Sequence, residues 1–317
     1  MNPNRAFICG ISGLKLKKKE ILFLKKYRPW GIILFSRNIE NIKQTQNLIN
    51  NIKLLFNDKF YPILVDEEGG QVSRLKKLIE NRTFTANYFG NLYKNNKKKF
   101  KIYYKIYINQ ISHLLNTLGF NINTVPVLDL KRFKSNNVIG DRSYSSNKKI
   151  VSKIGNICIS NFQNNNIVCV MKHIPGHGIT KVDSHKRIPL VNKSTPYLIK
   201  NDFYPFKNVK SLFAMTAHIV YKKQDPLNTV THSKIMINLI RKKIGFKNLI
   251  ISDDISMKAL KHTISVNTSK AFRAGCNLVL HCNGNLGEMI EVAKNSPKVD
   301  TFIKKKTSQF REIIRYC

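Results

Sequence analysis

The feature that most constrains this chain is a repeated alternation of two patterns. Short apolar runs rich in β-branched residues recur at 6–11, 30–35, 61–65, 120–127, 167–171, 212–217, 249–252 and 276–280. Each is too short for a core helix, and each is bounded by polar, Gly or Pro residues, so each reads as a buried strand. Between them lie segments of helical periodicity near 16–27, 42–56, 100–118, 150–163, 233–243, 287–294 and 300–316. In the third of these, Phe100, Tyr104, Tyr107, Ile111, Leu114 and Leu118 repeat at helical spacing, the mark of core packing. Ser233 is placed to cap a helix that Gly245 stops. Eight strands interleaved with helices predict an α/β fold, a parallel (β/α)8 barrel of the TIM type, with residues 1–317 forming one domain. A doubly wound open sheet fits the same alternation but would gather its ligand site at a single switch point.

The polar residues argue for the barrel. Asp66 follows the third strand, Asp129 the fourth, Lys172 and His173 the fifth, His218 the sixth, Asp253 and Asp254 the seventh, and His281 the eighth. Barrel closure brings all these ends to one mouth, where active sites sit. The densest stretch runs Lys172-His173-Ile174-Pro175-Gly176-His177-Gly178 and on to Asp183-Ser184-His185. Pro175 and two glycines forbid a helix, so His173 and His177 do not share a helical face as they would in a zinc-binding HExxH. What remains is a strand-end loop whose Lys, His and Asp side chains can bind oxygen-rich ligands and move protons near neutral pH.

Together with Ile251-Ser252-Asp253-Asp254-Ile255-Ser256-Met257, this loop resembles the bacterial β-N-acetylhexosaminidases of glycoside hydrolase family 3. Their marks are a KH(F/I)PGHG…DSH loop and an (I/F)SDD(L/I)SM strand. Five further segments fall in the family's order: Gly31 to Ile39, Val65 to Leu75, Ile139 to Tyr144, Met215 to His218 and Leu280 to Gly284. The resemblance implies a retaining exo-β-N-acetylglucosaminidase that releases terminal N-acetylglucosamine from muropeptides during peptidoglycan recycling. It implies Asp253 as nucleophile, and His185 paired with Asp183 as acid/base in place of the usual second carboxylate. An imidazole, with an ordinary pKa of about 6.5, suits that task at neutral pH. By the same resemblance Asp66, Arg74, Arg142, Lys172 and His173 bind the sugar, while Asp129 and His218 stand behind them. Asp254 should point away from Asp253, because successive strand side chains alternate. Glu67 departs from the pattern, since many relatives carry Gln there. No metal or organic cofactor is implied.

Composition bounds the partners. The net charge of +37, from 55 basic and 18 acidic residues, invites a nucleic-acid or membrane reading. The lysines, however, are scattered along the chain among Asn and Ile, so solvated helix faces account for runs such as 97–101, and only nonspecific polyanion adhesion is expected. The six cysteines form no CxxC pair and several sit in apolar strands, as free thiols of a reducing compartment do. The first residues carry too short an apolar run for a signal peptide, and no stretch approaches the roughly 18 apolar residues of a membrane span. A cytoplasmic monomer with a small carbohydrate substrate, no specific nucleic-acid partner and no membrane partner is expected. Two other readings use the same residues: a metal-dependent hydrolase with His173, His177, His185 and Asp253 as ligands, and a catalytically dead barrel retained for polyanion binding.

Overall fold

The computed structural model describes residues 4–132, 139–180 and 188–315. The chain opens with β1 (Arg5–Cys9), α1 (Lys18–Tyr27), β2 (Pro29–Leu34), α2 (Ile42–Phe56) and β3 (Ile63–Val65). Two packed helices, α3 (Ala86–Asn95) and α4 (Lys97–Leu118), lead to β4 (Ile122–Asn123), α5 (Lys148–Gln163) and β5 (Val168–Ile174). Next come β6 (Leu190–Val191), α6 (Thr195–Lys200), α7 (Tyr204–Lys207), β7 (Phe213–Thr216), β8 (Val220–Tyr221) and α8 (Lys234–Leu239). The chain ends with β9 (Leu249–Asp254), α9 (Ile264–Ala274), β10 (Leu278–His281), α10 (Leu286–Asn295) and α11 (Thr301–Ile314).

Eight strands close in the order β1-β10-β9-β7-β5-β4-β3-β2, with β1 bonded to both β2 and β10, and every pair is parallel. Closure rules out the open sheet. The two-residue strands β6 and β8 pair separately, beside the mouth's loops. In β1 the period of two is plain: Ala6 and Ile8 point into the barrel, while Phe7 and Cys9 point outward to the helices. Both sets are buried, which explains why these strands are apolar throughout.

Layers of Ile8, Ile33, Leu64, Ile122, Val170, Met215, Ile251 and Leu280 fill the interior. At the end opposite the site, α11 seals the barrel. Phe310 packs against Trp30 and Phe213, and the Trp30 indole N–H donates to Thr307 Oγ1 at 2.8 Å. The stripe on α4 is buried through Phe100, Tyr104, Ile108, Ile111, Leu115 and Leu118, with Tyr107 and Leu114 at its edge. Among the described residues no helix is long and apolar enough to cross a membrane.

Three expectations shift. The fourth strand is only Ile122–Asn123, not 120–127, because Pro126 has no amide hydrogen to give to a ladder; pairing with β5 resumes at Val127 and Leu128. The helix capped by Ser233 widens to a π-helix over Ile240–Ile244 before Gly245, at φ +81°, stops it. Helices α3 and α9 went unmarked in the sequence, since their polar, Asn- and Thr-containing segments show only a narrow apolar stripe.

Gly90 on α3 lies against the Tyr144 backbone so closely that an added methyl would overlap the Tyr144 carbonyl. Gly90→Ala should therefore lower the unfolding free energy by about 1–3 kcal/mol, the usual cost of overpacking. The check is a urea titration, in which the midpoint falls and the slope holds; an unshifted midpoint counts against this packing.

Candidate active site

β3 ends at Val65 and delivers three carboxylates in a row. In extended chain they alternate, so Asp66 and Glu68 line the pocket while Glu67 turns into the loop behind it. There Glu67 accepts from Ser73 Oγ (3.1 Å), the Arg74 and Leu75 amides (2.8 and 3.0 Å) and Asn81 Nδ2 (2.6 Å). Burial pushes its pKa up, against those four hydrogen bonds. Gly69 and Gly70, at φ +82° and +62°, make the turn that brings Arg74 back over the pocket.

Lys172, near the end of β5 and only 2% exposed, reaches across to this row. Its ammonium lies 3.2 Å from Asp66 Oδ1, 2.6 Å from Glu68 Oε1 and 2.8 Å from Thr124 Oγ1. Three donors thus meet three oxygens. Arg142 grips Glu68 in a fork, Nε to Oε2 at 2.7 Å and the terminal nitrogen to Oε1 at 2.9 Å. Arg74 donates to Asp66 Oδ2 at 3.2 Å and lies over the Phe35 ring, and its buried Nε has no hydrogen-bond partner among the described residues. Burial pushes both carboxylates up, but the cations outweigh it. Glu68 comes down to about 2 through Arg142 and Lys172, and Asp66 falls far below the usual carboxylate range through Lys172 and Arg74.

His173 is held by Asp129, which is fully buried. The ring Nδ1 donates to Asp129 Oδ2 at 2.7 Å, leaving Nε2 as the remaining polar atom of a residue that lines the pocket. The other Asp129 oxygen takes the His177 amide. Asp253 and Asp254 sit at the end of β9. Thr216 Oγ1 takes the Asp253 amide at 3.3 Å, and His218, buried between Thr231 and the Asp254 carbonyl, pins the strand end. Among the described residues Asp253 Oδ1 accepts only the Asp254 amide, at 2.8 Å, whereas both Asp254 oxygens accept from Ser256 Oγ and Oδ1 also takes the Cys282 amide. Asp253 is therefore the freer of the pair. Burial raises its pKa, but His218, His173 and Lys172 outweigh that and hold it below its ordinary value.

Asp66, Arg74, Arg142, Lys172, His173 and Asp253 thus surround one pocket of about 170 Å³, walled on its apolar side by Phe35, Met215, Met257 and Leu280. Asp183 and His185 lie outside the described residues. The arrangement offers an ionised carboxylate facing a cluster of fixed hydrogen-bonding cations and carboxylates, which suits a polyhydroxylated ligand.

Residues 8–309 match the glycosyl hydrolase family 3 N terminal domain. The chain belongs to glycoside hydrolase family 3. This hydrolase is 32% identical over 278 residues to a β-hexosaminidase of Thioalkalivibrio sulfidiphilus, covering 86% of this chain and 79% of that one. Its fold superposes on NagZ from Neisseria gonorrhoeae, solved with N-trifluoroacetyl-D-glucosamine, with a TM-score of 0.84 and 28% identity, over 99% of this chain and 93% of that one. The fold also matches a family 3 β-N-acetylglucosaminidase from Paenibacillus (TM-score 0.85, 23% identity, 98% of this chain), of which this chain spans 61%.

Two features of the site went unread in the sequence. Glu68 was visible only as the residue two beyond Asp66, the spacing that puts both on one side of an extended chain. Thr124, which accepts from Lys172, carries no sequence signal, and Thr216, which accepts the Asp253 amide, was marked only as part of the Met215 to His218 segment.

Burial holds the His177 pKa down to about 4 and that of His232 to about 3. The unfolded chain takes a proton on each near pH 6.5, while the folded chain refuses it until far lower. Stability should therefore fall as pH drops from about 6.5 to about 4, with His177 alone contributing about 3 kcal/mol of the loss. The depressed carboxylates Asp66, Glu68, Asp129 and Asp253 stabilise above about pH 4 and lose that contribution only below it. Urea titrations at several pH values should show His177→Gln with a shallower loss in the upper window and an unchanged loss below it; parallel curves would contradict the assignment.

Proposed function

We propose that this family 3 hydrolase is a retaining, exo-acting β-N-acetylglucosaminidase, a single catalytic barrel that takes terminal N-acetylglucosamine from muropeptides in the cytoplasm. The observation that carries the reading is Asp253, an ionised carboxylate with one oxygen free of hydrogen bonds among the described residues, facing the ring of Asp66, Arg74, Arg142, Lys172 and His173. The β-hexosaminidase names of its relatives, and the amidosugar bound by the gonococcal protein, support the choice of sugar. Free cysteines, four of them buried (Cys9, Cys158, Cys169 and Cys276), fit a reducing compartment.

In the proposed reaction Asp253 Oδ attacks the anomeric carbon as the glycosidic C–O bond breaks, and His185 gives its proton to the departing oxygen. A water then attacks the same carbon, His185 takes its proton, and the bond to Asp253 breaks. Asp183 fixes the tautomer of His185 and stabilises the imidazolium, as the acid does in a hydrolase triad. Asp66 accepts from sugar hydroxyls, while Arg74 and Arg142 donate to hydroxyl and acetamide oxygens. Lys172, whose three donors are already engaged, acts chiefly by holding Asp66 in place.

A panel of p-nitrophenyl glycosides tests the reading: the N-acetyl-β-glucosaminide should be the preferred substrate, and preference for a sugar without the acetamide rejects it. Asp253→Ala should abolish turnover on every substrate by several powers of ten, as loss of the covalent route requires. His185→Ala should turn over an activated nitrophenyl glycoside in a burst and then stall, with one sugar found on Asp253 by intact-protein mass. On a natural disaccharide the same variant should lose about two to four powers of ten, the worth of general acid–base help. Equal losses on both substrates overturn the roles given to the pair.

A metal-dependent hydrolysis is the competing reading. Among the described residues no group of three or more His, Cys, Asp or Glu side chains is arranged to hold an ion. Prolonged EDTA treatment should leave turnover unchanged, and activity lost to EDTA and restored by zinc would favour the metal.

A further inference from the structure

Glu68 has no part in the chemistry described above, yet it is engaged by two cations at the mouth. Both its oxygens are taken: Oε2 by Arg142 Nε at 2.7 Å, and Oε1 by the Arg142 terminal nitrogen at 2.9 Å and by Lys172 at 2.6 Å. Its side chain is 4% exposed, yet it lines the same pocket as Asp253. Three cations and two carboxylates meet on this wall. Asp66 serves Arg74 and Lys172, and Glu68 serves Lys172 and Arg142.

We propose that Glu68 is a positioning and specificity-determining residue of the sugar pocket: it sets Arg142 and Lys172 side by side for a neutral sugar and, by offsetting part of their charge, weakens the hold of the pocket on anionic ligands. The inference rests on the reading of this pocket as a sugar site.

The physical argument is one of charge and geometry. Without Glu68, Arg142 and Lys172 would lose the carboxylate they share at one point of a largely buried wall, and a planar or tetrahedral oxyanion would be favoured in its place. With Glu68 in place the fork of Arg142 is committed on one edge, and its orientation is set by a bidentate contact rather than by the ligand. Lys172 is likewise fixed by Glu68, Asp66 and Thr124 before any sugar arrives. Three cations against two carboxylates leave this pre-set wall one net positive charge rather than two, so it can hydrogen-bond hydroxyl and amide oxygens while holding a sulfate, phosphate or carboxylate less firmly than the wall without Glu68 would. Burial raises the Glu68 pKa, but Arg142 and Lys172 outweigh it and bring it down to about 2, so the carboxylate is charged near neutral pH.

The test uses sulfate as the probe anion, titrated by calorimetry at constant ionic strength into the wild-type chain and Glu68→Gln. N-acetylglucosamine serves as competitor, to separate the pocket from the basic surface. Glu68→Gln should bind sulfate about tenfold more tightly than wild type, or better, in a manner displaced by the sugar, as exposing a two-cation anion site requires. Its KM for the nitrophenyl N-acetylglucosaminide should rise about tenfold with kcat held within a few-fold, the pattern of lost binding rather than lost chemistry. Glu68→Asp keeps the charge but shortens the reach, so it should share the KM change without the gain in sulfate binding.

Unchanged sulfate affinity in Glu68→Gln overturns the proposal, and so does an equal gain in Glu68→Asp. If Glu68→Gln does not fold, the double variant Glu68→Gln/Arg142→Gln, which restores the charge balance, should fold and ignore sulfate; a double variant that fails equally overturns the charge argument. The calorimetry reads the anion site without any turnover, so an inactive wild-type enzyme would reject the glycosidase reading while leaving this result intact.

Discussion

The mouth of this barrel is organised around a buried ammonium group. Lys172 stands near the end of a central strand with its charge between Asp66 and Glu68, and each of those carboxylates holds an arginine on its far side. Removing such charges from water is costly, and the cost is offset only when the pairing geometry is good and every donor finds an oxygen. Here every donor of the ammonium does, through Thr124 as the third partner. Because Asp66 and Glu68 come from one strand end and Lys172 from another, the ion network forms only when the barrel is closed, and it ties the site's binding wall to the register of β3, β4 and β5.

The opposite wall follows a different logic. Burial raises the Asp253 pKa, yet it ends below its ordinary value through the nearby His218 and His173, the Asp254 amide it accepts and the Lys172 ammonium. A carboxylate held in this way stays ionised, whereas direct ion pairing would occupy the oxygens that must attack. Asp254 shows the contrast. It is saturated by Ser256 and the Cys282 amide and serves the loop between β9 and the next helix. Two adjacent, chemically identical residues are thus divided between reaction and architecture by their hydrogen bonds. His218 and Thr231 do not line the pocket, yet they fix the backbone from which Asp253 projects.

The sequence by itself determined the fold, and it placed at the strand ends the polar residues that the barrel gathers around one pocket. Eight apolar runs with helical segments between them are compatible with few architectures, and polar residues at six strand ends point to a closed barrel with one mouth. Asp66, Arg74, Arg142, Lys172, His173 and Asp253 could be singled out because each stands within a segment that resembles the family 3 β-N-acetylhexosaminidases. Local sequence also marked the Ser233 cap and the Gly245 stop, since capping depends on a few neighbouring residues.

What the tertiary structure alone decided is which of these groups touch. That Lys172 spends its donors on two carboxylates and a threonine, that Glu68 is the anchor of Arg142, and that Asp129 holds His173 are contacts between residues 44 to 106 positions apart. Nothing in the spacing of a sequence encodes such distances; they come from barrel closure and strand register. The division between Asp253 and Asp254 is of the same kind, because it depends on amides and hydroxyls delivered by β7, β10 and the loop after β9. Pattern identifies the chemistry that a strand end can carry, while charge balance and hydrogen-bond geometry, which exist only in three dimensions, decide what each group is free to do.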